Sequence, residues 1–405
     1  MRDTELFQMA LGLTPPWQVS ASEFNPDTKR LDIRLDFPRG STFPCPICEQ
    51  AGLKAYDTAE KTWRHLNFFE HEAYLTARVP RTMCDKCGTH LVNVPWARPD
   101  SGFTLLFEAM IMTLAKSMPV KTIAKFVKEH DTRLWRVLYH YVDDAREKAD
   151  HSQVKQVGMD ETSRRRGHKY VSLFVDLDGP RVLFATDGKD ASTVKRFKRD
   201  LIDHGGDPGA IEEMCCDMSP AFIRGVENQF PKAQLTFDKF HVMKIINDAV
   251  DQVRREEIKE RPELTGSRYI WLKNQKNLKV SQSELLEQLT IKRLNLKTSR
   301  AYHIRLNFQE LYQQPAGEAE GFLKKGYFWA THRRLEPIKE AAYTIKRHWD
   351  GVLRWFQSKI NNGILEGINS LIQAAKARAR GYRSKRNLIT MIYLIAGKLD
   401  FDLPT

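Results

Sequence analysis

The chain has few cysteines and no long apolar segment, and each absence excludes a class of protein. Six cysteines in 405 residues are too few for a disulfide framework. No apolar run approaches the roughly 20 residues that a membrane-spanning helix needs. The first residues lack the charged-then-apolar pattern of a signal peptide. We therefore expect a cytoplasmic protein that has no membrane partner.

Acidic residues are also in deficit. The chain has 64 Lys and Arg against 51 Asp and Glu, a formal net charge of +13. Such an excess favours a polyanionic partner, because each phosphate that is neutralised releases condensed counterions. An ordinary basic enzyme would show the same balance, so charge alone does not establish nucleic-acid binding. The length allows two or three domains with at least one buried core.

Four of the six cysteines form two Cys-x-x-Cys pairs, Cys45 with Cys48 and Cys84 with Cys87. Two such thiolate knuckles complete a tetrahedral zinc site. The interval between the pairs is longer than the roughly 15–20 residues usual in ribbons, and residues 73–79 alternate like a strand, so we expect a hairpin there. Unrelated buried thiols or a redox pair are the alternatives. We predict one structural Zn²⁺ per chain.

Residues 103–147 change to a helical pattern with three segments. A short helix, a tight turn and a helix with arginines near its start are typical of a helix-turn-helix, whose second helix enters the major groove. Arg133 and Arg136 are then the candidate DNA contacts. A plain three-helix bundle would give a similar pattern.

The next hundred residues predict a β-rich core with two acids at strand ends. The first strand ends at Asp160 and the fourth at Asp217. The predicted order is strands 154–160, 170–176 and 181–186, a helix 192–202 capped by Ser192, strand 211–217, helix 220–229 and strand 234–237, with a turn at 163–168. Three antiparallel strands followed by helix, strand, helix and strand is the order of the RNase H-like fold. Its first and fourth strands lie side by side, which would bring the two acids together.

A long helical stretch separates this core from a third acid. Residues 245–360 are helical and charged, with one loop around 314–318, and Glu366 then opens a further helix. We interpret the stretch as an inserted lobe that packs beside the active site, after which the chain returns to the core. Behind Glu366 the helix turns basic, and a solvated surface is the alternative to a phosphate-facing role. The candidate DNA-binding residues are Lys376, Arg378, Arg380, Arg383, Lys385 and Arg386.

Carboxylates from separate elements are the hard ligands that two Mg²⁺ (or Mn²⁺) ions about 4 Å apart require to align an attacking and a leaving oxygen on one phosphate. We predict that Asp160, Asp217 and Glu366 are both the catalytic and the metal-binding residues. Asp238 and His241 are secondary candidates, because Asp238 also follows a strand but could simply cap a helix. Glu161 is expected on the opposite face of the first strand from Asp160.

These residues carry a resemblance to a known family. The chain resembles the ISL3 family of bacterial insertion-sequence transposases over nearly its whole length. The matching segments are the two Cys-x-x-Cys pairs, residues 159–161, 237–242 and 381–383, and above all 362–369. The resemblance implies an RNase H-like DDE domain with a helical insertion, a zinc-binding N-terminal domain and a helix-turn-helix. The Asp-x-x-His motif at Asp238 resembles one shared by several transposases with helical insertions.

The predicted fold is α/β, an RNase H-like core with a long all-helical insertion behind a zinc-ribbon-like domain and a helix-turn-helix. The expected boundaries are 1–99 for the zinc-binding domain, 100–150 for the helix-turn-helix region, 151–244 for the first part of the core, 245–360 for the insertion and 361–405 for the completion of the core.

The expected function is that of a nucleoid-associated bacterial transposase. It would bind terminal inverted repeats, cleave DNA by metal-dependent hydrolysis and join the 3′-OH to target DNA. Its partner would be double-stranded DNA, both element ends and target. Because two ends must meet, we expect a homodimer or a larger assembly on DNA. A non-catalytic zinc and helix-turn-helix regulator is the main alternative, and a nuclease that cuts without strand transfer is a weaker one.

Overall fold

The computed structural model describes residues 2–165, 169–358, 360 and 363–404. The chain divides into two compact units, one of residues 1–145 with 400–405 and the other of residues 146–399. Within the described part of the chain, no helix is both long and apolar enough to cross a membrane.

The first unit begins with a short helix and a six-stranded sheet. Its elements are α1 (Asp3–Ala10), β1 (Gln18–Asn25), β2 (Arg30–Asp36), β3 (Thr42–Phe43), β4 (Leu53–Arg64), β5 (Glu72–Cys84) and β6 (Gly88–Leu91). The sheet order is β1-β2-β5-β4-β3, and β6 pairs with β5. The antiparallel β4–β5 pair confirms the predicted hairpin between the cysteine pairs. Alternate residues of β5, such as Leu75 and Ala77, are buried, as period-two patterning requires.

Three helices complete this unit: α2 (Leu105–Ala115), α3 (Val120–Phe126) and α4 (Asp131–Glu147). They confirm the three helical segments predicted from the sequence. A buried carboxylate joins them, because Glu108 on α2 accepts hydrogen bonds from Arg98, Ser101 and Tyr141. Arg64 at the end of β4 is also buried and lies over the ring of Phe107, 5.3 Å from its centroid. These contacts pack the helices against the sheet.

The second unit contains a mixed five-stranded sheet. Its elements are β7 (Gln156–Arg165), β8 (Lys169–Asp176), β9 (Arg181–Asp187), α5 (Ala191–Asp203), β10 (Glu213–Cys216), α6 (Pro220–Gln229) and β11 (Gln234–Phe237). The order is β11-β10-β7-β8-β9. β7, β8 and β9 are antiparallel neighbours, whereas β10 is parallel to both β7 and β11. The predicted pairing of the first and fourth strands is confirmed by β7 and β10.

Two local predictions in this sheet are wrong. The strand β7 does not end at Asp160 but continues to Arg165, because its partner β8 extends the ladder as far as the Arg165–Lys169 pair. The turn predicted at 163–168 is therefore wrong for residues 163–165, and residues 166–168 lie outside the described residues. Helix α5 begins at Ala191, so its cap is Asp190, whose carboxylate accepts a hydrogen bond from the Ser192 amide at 2.8 Å, and not Ser192.

Nine α-helices and three short 3₁₀ helices, counted over the described residues, fill the remainder of the second unit. The α-helices are α7 (Lys239–Glu257), α8 (Arg268–Leu272), α9 (Val280–Thr290), α10 (Lys297–Leu311), α11 (Ala316–Thr331), α12 (Glu336–Arg347), α13 (Trp349–Ser358), α14 (Gly363–Arg378) and α15 (Lys385–Ala396). Buried side chains of α7 through α13 join those of the sheet in one apolar cluster. The helical stretch therefore packs on the sheet and is not a detached arm.

Two predictions in the helical region need correction. The turn expected at 314–318 lies earlier, since α10 ends at Leu311 and α11 begins at Ala316, directly behind Pro315. The basic segment behind Glu366 is two helices and not one. Arg380 and Gly381 adopt positive φ angles of 53° and 89°, which ends α14. Ser384 then caps α15 through the Asn387 amide.

Candidate active site and zinc site

The four paired cysteines come together in the first unit. Cys45 and Cys48 lie in the loop after β3, whereas Cys84 ends β5 and Cys87 precedes Gly88, which has a φ of 84°. Their sulfur atoms all lie within 4.8 Å of one another, and the Cys48 and Cys84 sulfurs are 3.6 Å apart. Tetrahedral Zn–S bonds of about 2.3 Å would separate sulfur atoms by about 3.8 Å. The cluster therefore fits a zinc ion.

The electrostatics of these sulfurs also favour a bound cation. Hydrogen bonds from the Cys48 and Ile47 amides lower the pKa of the Cys45 thiol to about 6. The neighbouring sulfurs, that of Cys48 first, raise the pKa of the Cys87 thiol to about 12. Four thiolates this close are stable only with a cation among them. His65 and His90 lie outside the cluster, since their rings contact Thr104 Oγ1 and the Cys87 carbonyl.

The two arginines proposed to contact DNA differ in their surroundings. Arg133 forms an ion pair with Glu129 at 2.5 Å, and its guanidinium lies 4.3 Å from the centre of the Phe103 ring. This side chain therefore fixes the start of α4. Arg136, one turn further along, is exposed.

The register of the second sheet places three aspartates in one row. Cys215 on β10 pairs with Gly158 on β7, so two residues further on Asp217 is level with Asp160. Cys216 pairs with Phe237 on β11, so Asp238 is level with Asp217. Neighbouring strands are about 4.8 Å apart. Asp217 therefore stands between the other two aspartates, next to Asp160, whereas Asp238 is one strand further away.

Electrostatic coupling agrees with this register. The pKa of Asp160 is raised, first by burial, and the carboxylates of Asp217 and Asp238 add to the increase. The Glu161 amide, which donates to Asp160 Oδ1 at 2.7 Å, and the ring of His241 act in the opposite direction. The three carboxylates lie on β7 and at the carboxyl ends of β10 and β11. Their like charges repel one another, and carboxylate oxygens suit Mg²⁺ or Mn²⁺ as ligands. The donor set therefore fits a hard divalent cation.

Asp217 and Asp238 each also accept a hydrogen bond near the start of a helix. Asp217 Oδ1 accepts a hydrogen bond from the Ser219 amide at 3.0 Å, just before α6. Asp238 Oδ1 accepts one from the Phe240 amide at 3.0 Å and is the N-cap of α7. The capping role considered for Asp238 is thus present. Asp238 is 4% exposed, and His241 Nε2 lies 3.8 Å from its Oδ2.

Helix α14 lies along β7 and carries the third acid. A Cβ on Gly158 would approach methyl groups of Leu177 and Leu365 to 2.8 and 2.9 Å, so a larger residue here would require these side chains to shift. Further along, Asn369 donates to Asp160 Oδ2 at 2.5 Å and Gln373 to Thr162 Oγ1 at 2.6 Å. The helix and the strand therefore run together in register. Neither Asn369 nor Gln373 was predicted as a site residue, although Asn369 ends the segment 362–369 and the spacing of both from Glu366 is that of one helix face.

Glu366 stands in the first turn of α14 and is exposed. Asn361 and Asn362, which belong to the same motif, lie outside the described residues. Over the described residues, ligand atoms of three or more acids, histidines or cysteines come within 4.8 Å of one another at two places. Neither place is the set of Asp160, Asp217 and Glu366. The sheet register thus aligns Asp160 with Asp217, and α14 holds Glu366 on the same side of β7. The ligand atoms of these three acids do not all lie within 4.8 Å of one another.

Glu161 belongs to the surroundings of the same site. Because β7 persists as a strand, this side chain points to the opposite face of the sheet from Asp160. Burial raises the pKa of Glu161 to about 7, and the Asp217 carboxylate adds to that effect, whereas the Lys189 ammonium opposes it. Glu161 is therefore close enough to the acidic row to share its electrostatic cost.

The second cluster of potential ligands is His151, Asp200 and His204, and it does not suit a metal ion. The Arg146 guanidinium donates to Asp200 Oδ1 at 2.6 Å and lies 3.3 Å from His151 Nε2. Both ring nitrogens of His204 lie within 3 Å of backbone oxygens. A cationic side chain already neutralises this carboxylate, so the cluster ties α5 to the start of the second unit.

A thiolate cluster, three consecutive helices and an acidic row at a sheet edge define a zinc-containing protein of the DNA-processing class. Residues 157–392 match the family model of the DDE domain of ISL3 transposases, residues 92–142 the helix-turn-helix domain of transposase family ISL3, and residues 41–87 the zinc-finger of transposase IS204/IS1001/IS1096/IS1165. The chain belongs to the ISL3 family of transposases. It is therefore a transposase that binds DNA and uses a divalent metal ion, with a zinc-binding ribbon.

Relatives match along most of the chain. The transposase for insertion sequence element IS1557 of Mycobacterium tuberculosis is 26% identical over 97% of this chain and 96% of its own length. The transposase for insertion sequence element IS1001 of Bordetella parapertussis is 27% identical over 84% of this chain and 86% of its own length. The similarity therefore extends across the zinc, helical and catalytic regions together.

Proposed function

We propose that this transposase uses Asp160, Asp217 and Glu366 as its catalytic acids, within an RNase H-like core that the helical segment 245–360 interrupts. The observation that carries this assignment is the sheet register, which sets Asp217 level with Asp160 on the adjacent strand. Helix α14 supports it, because its contacts along β7 keep Glu366 on the Asp160 side of the sheet.

The register also favours Asp217 over Asp238 as the second acid. Asp217 is one strand away from Asp160, and Asp238 is two. Asp238 is nearly fully buried and caps α7, and Tyr312 lies close enough for this carboxylate to raise the pKa of the phenol further, beyond the effect of burial. We infer that Asp238 and His241 line the buried side of the site and that Asp217 faces the bound DNA.

The proposed cofactor is a pair of Mg²⁺ or Mn²⁺ ions held by the three acids. When bound, such ions activate the attacking oxygen and stabilise the leaving oxygen of one phosphodiester. In hydrolysis a P–O3′ bond breaks and the water oxygen stays on the phosphate. In joining, the released 3′-OH forms a bond to a target phosphate whose own P–O3′ bond breaks. No covalent link between protein and DNA is required, so no nucleophilic side chain is needed.

The proposed DNA contacts come from two regions. The end of α14, the turn behind it and the start of α15 present exposed cations that follow the third acid along the chain. They are Arg378, Arg380, Arg383, Lys385 and Arg386, and Lys376 on α14 instead donates to the Ser163 carbonyl. In the helix-turn-helix, exposed Arg136 is the better candidate for a base contact, because Arg133 is engaged by Glu129.

A cleavage and joining assay tests the proposal. Purified protein would be incubated with DNA that carries the ends of its element, with Mg²⁺ and a target plasmid. We expect both a cut product and a joined product. Cutting without joining would indicate a nuclease, and binding without cutting would indicate a regulator. We further propose one Zn²⁺ per chain and a dimer or larger assembly on paired ends, which light scattering of the DNA complex would measure.

A further inference from the structure

Asn369 contacts a catalytic candidate that lies far from it in the sequence. Its carboxamide nitrogen donates to Asp160 Oδ2 at 2.5 Å, while the Glu161 amide donates to Oδ1 at 2.7 Å. Two donors, one on each oxygen, fix both the position and the rotation of a carboxylate. Each oxygen keeps a second lone pair for a cation. The orientation of Asp160 therefore depends on one donor from its own strand and one from α14.

The orientation of the amide follows from charge. The ionised Asp160 carboxylate only accepts hydrogen bonds, so the NH₂ group of Asn369 must face it. The opposite atom, Oδ1, is then buried and has no partner among the described residues. A buried acceptor without a donor is unfavourable. An apolar side chain of the same size would avoid that cost but would leave Asp160 Oδ2 without its donor, so what favours asparagine here is its contact with the carboxylate.

Asn369 also lies on the helix that carries the third acid. It stands three residues after Glu366, which is one turn along the same face of α14. The next contact on this face, Gln373 with Thr162, joins the same helix to the same strand but involves no acid. Gln373 therefore serves as a matched control that separates docking of the helix from orientation of the carboxylate.

We propose that Asn369 is a positioning residue, which orients Asp160 and sets its separation from Glu366 for binding of a divalent cation. The inference rests on the proposed role of these acids and deepens it. Residues that hold metal ligands from behind typically change metal affinity or activity 10- to 100-fold when they are removed. DNA affinity should stay unchanged, because the exposed basic side chains that follow α14 are not altered.

The test compares Asn369→Leu, Asn369→Ser and Gln373→Ala in the full-length protein. The readouts are the Mn²⁺ concentration that gives half of the metal-induced thermal shift without DNA, the cleavage rate at saturating DNA, and DNA affinity. For Asn369→Leu we expect unfolding in chelator within a few degrees of the wild type. We also expect about a 10-fold weaker response to Mn²⁺, with a matching loss of rate. Asn369→Ser, which keeps a donor, should recover part of both, and Gln373→Ala should stay within about twofold.

The proposal would be overturned if Asn369→Leu and Gln373→Ala lost equal amounts of Mn²⁺ response and cleavage rate. It would also be overturned if the Mn²⁺ response of Asn369→Leu were unchanged. In either case the contact would serve only to dock the helix. If Asn369→Leu does not fold, Asn369→Ser carries the same comparison with Gln373→Ala. Asp160→Asn is measured beside them. Cleavage and Mn²⁺ binding retained in Asp160→Asn would overturn the assignment of the acids themselves, which is a separate result from the failure of Asn369 alone.

Discussion

The zinc site and the acidic site are assembled in opposite ways. The four sulfurs come from two short loops joined by one hairpin, and backbone amides of one loop stabilise the Cys45 thiolate. The acids come from two parallel strands and a helix that begins after a long helical segment. Their arrangement depends on strand register and on the docking of α14. The comparison teaches that a site within one hairpin is fixed by local geometry, whereas the acidic site requires the whole second unit to fold.

The two sites also have different relations to stability. Thiolates that share a structural zinc contribute the energy of metal binding to folding. Carboxylates in this row repel one another, since Asp217 and Asp238 add to the effect of burial in raising the pKa of Asp160, and so they oppose folding until a cation is bound. We therefore expect the removal of ligands to destabilise the first unit and to spare or stabilise the second.

The largest effect is expected from loss of the zinc ligands. Changing Cys45, Cys48, Cys84 and Cys87 together to Ser should remove the zinc, as measured by elemental analysis, and unfold the first unit. Structural zinc sites contribute about 10 kcal/mol or more to the folding of small domains. Thermal unfolding followed by circular dichroism should retain the transition of the second unit. Cys215→Ala, a buried thiol outside the cluster, is the control and should keep one zinc. Zinc retained without the four cysteines would contradict the assignment.

Local sequence patterns were sufficient for the zinc cluster, for the three helices of the first unit and for most elements of the five-stranded sheet and its two helices. The Cys-x-x-Cys spacing predicts its ligands because each knuckle is a local turn, and α6 and β11 begin and end as predicted. The predictions were wrong for elements whose bounds depend on pairing with another part of the chain. Strand β7 extends past Asp160 because β8 pairs with it, a contact that no local pattern of β7 contains. The β1–β2 hairpin was not predicted at all.

The acidic site was predictable only in part. Pairing of the first and fourth strands could be expected from the order of elements, and it aligns Asp217 with Asp160. The contact between Asn369 and Asp160 could not, because it depends on how α14 is rotated and shifted against β7. Arg133 is a different case, because Glu129, which engages it, stands only four residues earlier, and this spacing was available from the sequence.

The next largest effect should distinguish Asp217 from Asp238. We expect Asp217→Asn to reduce cleavage by about a thousandfold or more, because the amide cannot replace a carboxylate that shares a cation with Asp160. DNA affinity, measured by fluorescence anisotropy, should change less than about twofold. Asp238→Asn keeps an oxygen that can cap α7 and should cost less. Near-normal cleavage by Asp217→Asn together with an inactive Asp238→Asn would place the second acid at Asp238.

A smaller effect should appear in the response to divalent ions. Mn²⁺ or Mg²⁺ at a hundred times its dissociation constant should stabilise the second unit by about 2.7 kcal/mol, and the first unit not at all. Asp160→Asn should remove this increment and raise the stability of the metal-free protein, since it relieves repulsion in the acidic row. Asp203→Asn, an exposed acid on α5, is the matched control. A metal-induced shift that persists in Asp160→Asn would contradict the predicted ligand set.

The smallest expected effect is a loss of folding stability at acid pH, which a buried histidine should cause in each unit. Each contains, among its described residues, a histidine whose pKa is lowered to about 4, by burial first: His65 in the first unit and His151 in the second. The neighbouring Arg64 guanidinium adds to the effect at His65, and the Arg146 and Arg181 guanidinium groups add to it at His151. Both rings are therefore neutral in the folded protein at pH values where they would be protonated in the unfolded chain.

Because the unfolded state binds more protons between pH 6.5 and about 4, the stability contributed by each neutral histidine is complete above pH 6.5 and is lost as the pH falls through this window. The loss should be on the order of 1–2 kcal/mol for each histidine.

His65→Gln should flatten the pH dependence of the first unfolding transition and leave the second unchanged, and His151→Gln should do the reverse. The pKa values of Glu161, Asp160 and Asp200 are raised in the same unit as His151 and act in the opposite direction, so the slope of the second transition should be the shallower one. Calorimetry at pH 4.5, 5.5 and 7 would measure both slopes, and a slope that His65→Gln leaves intact would show that His65 is protonated in the folded protein.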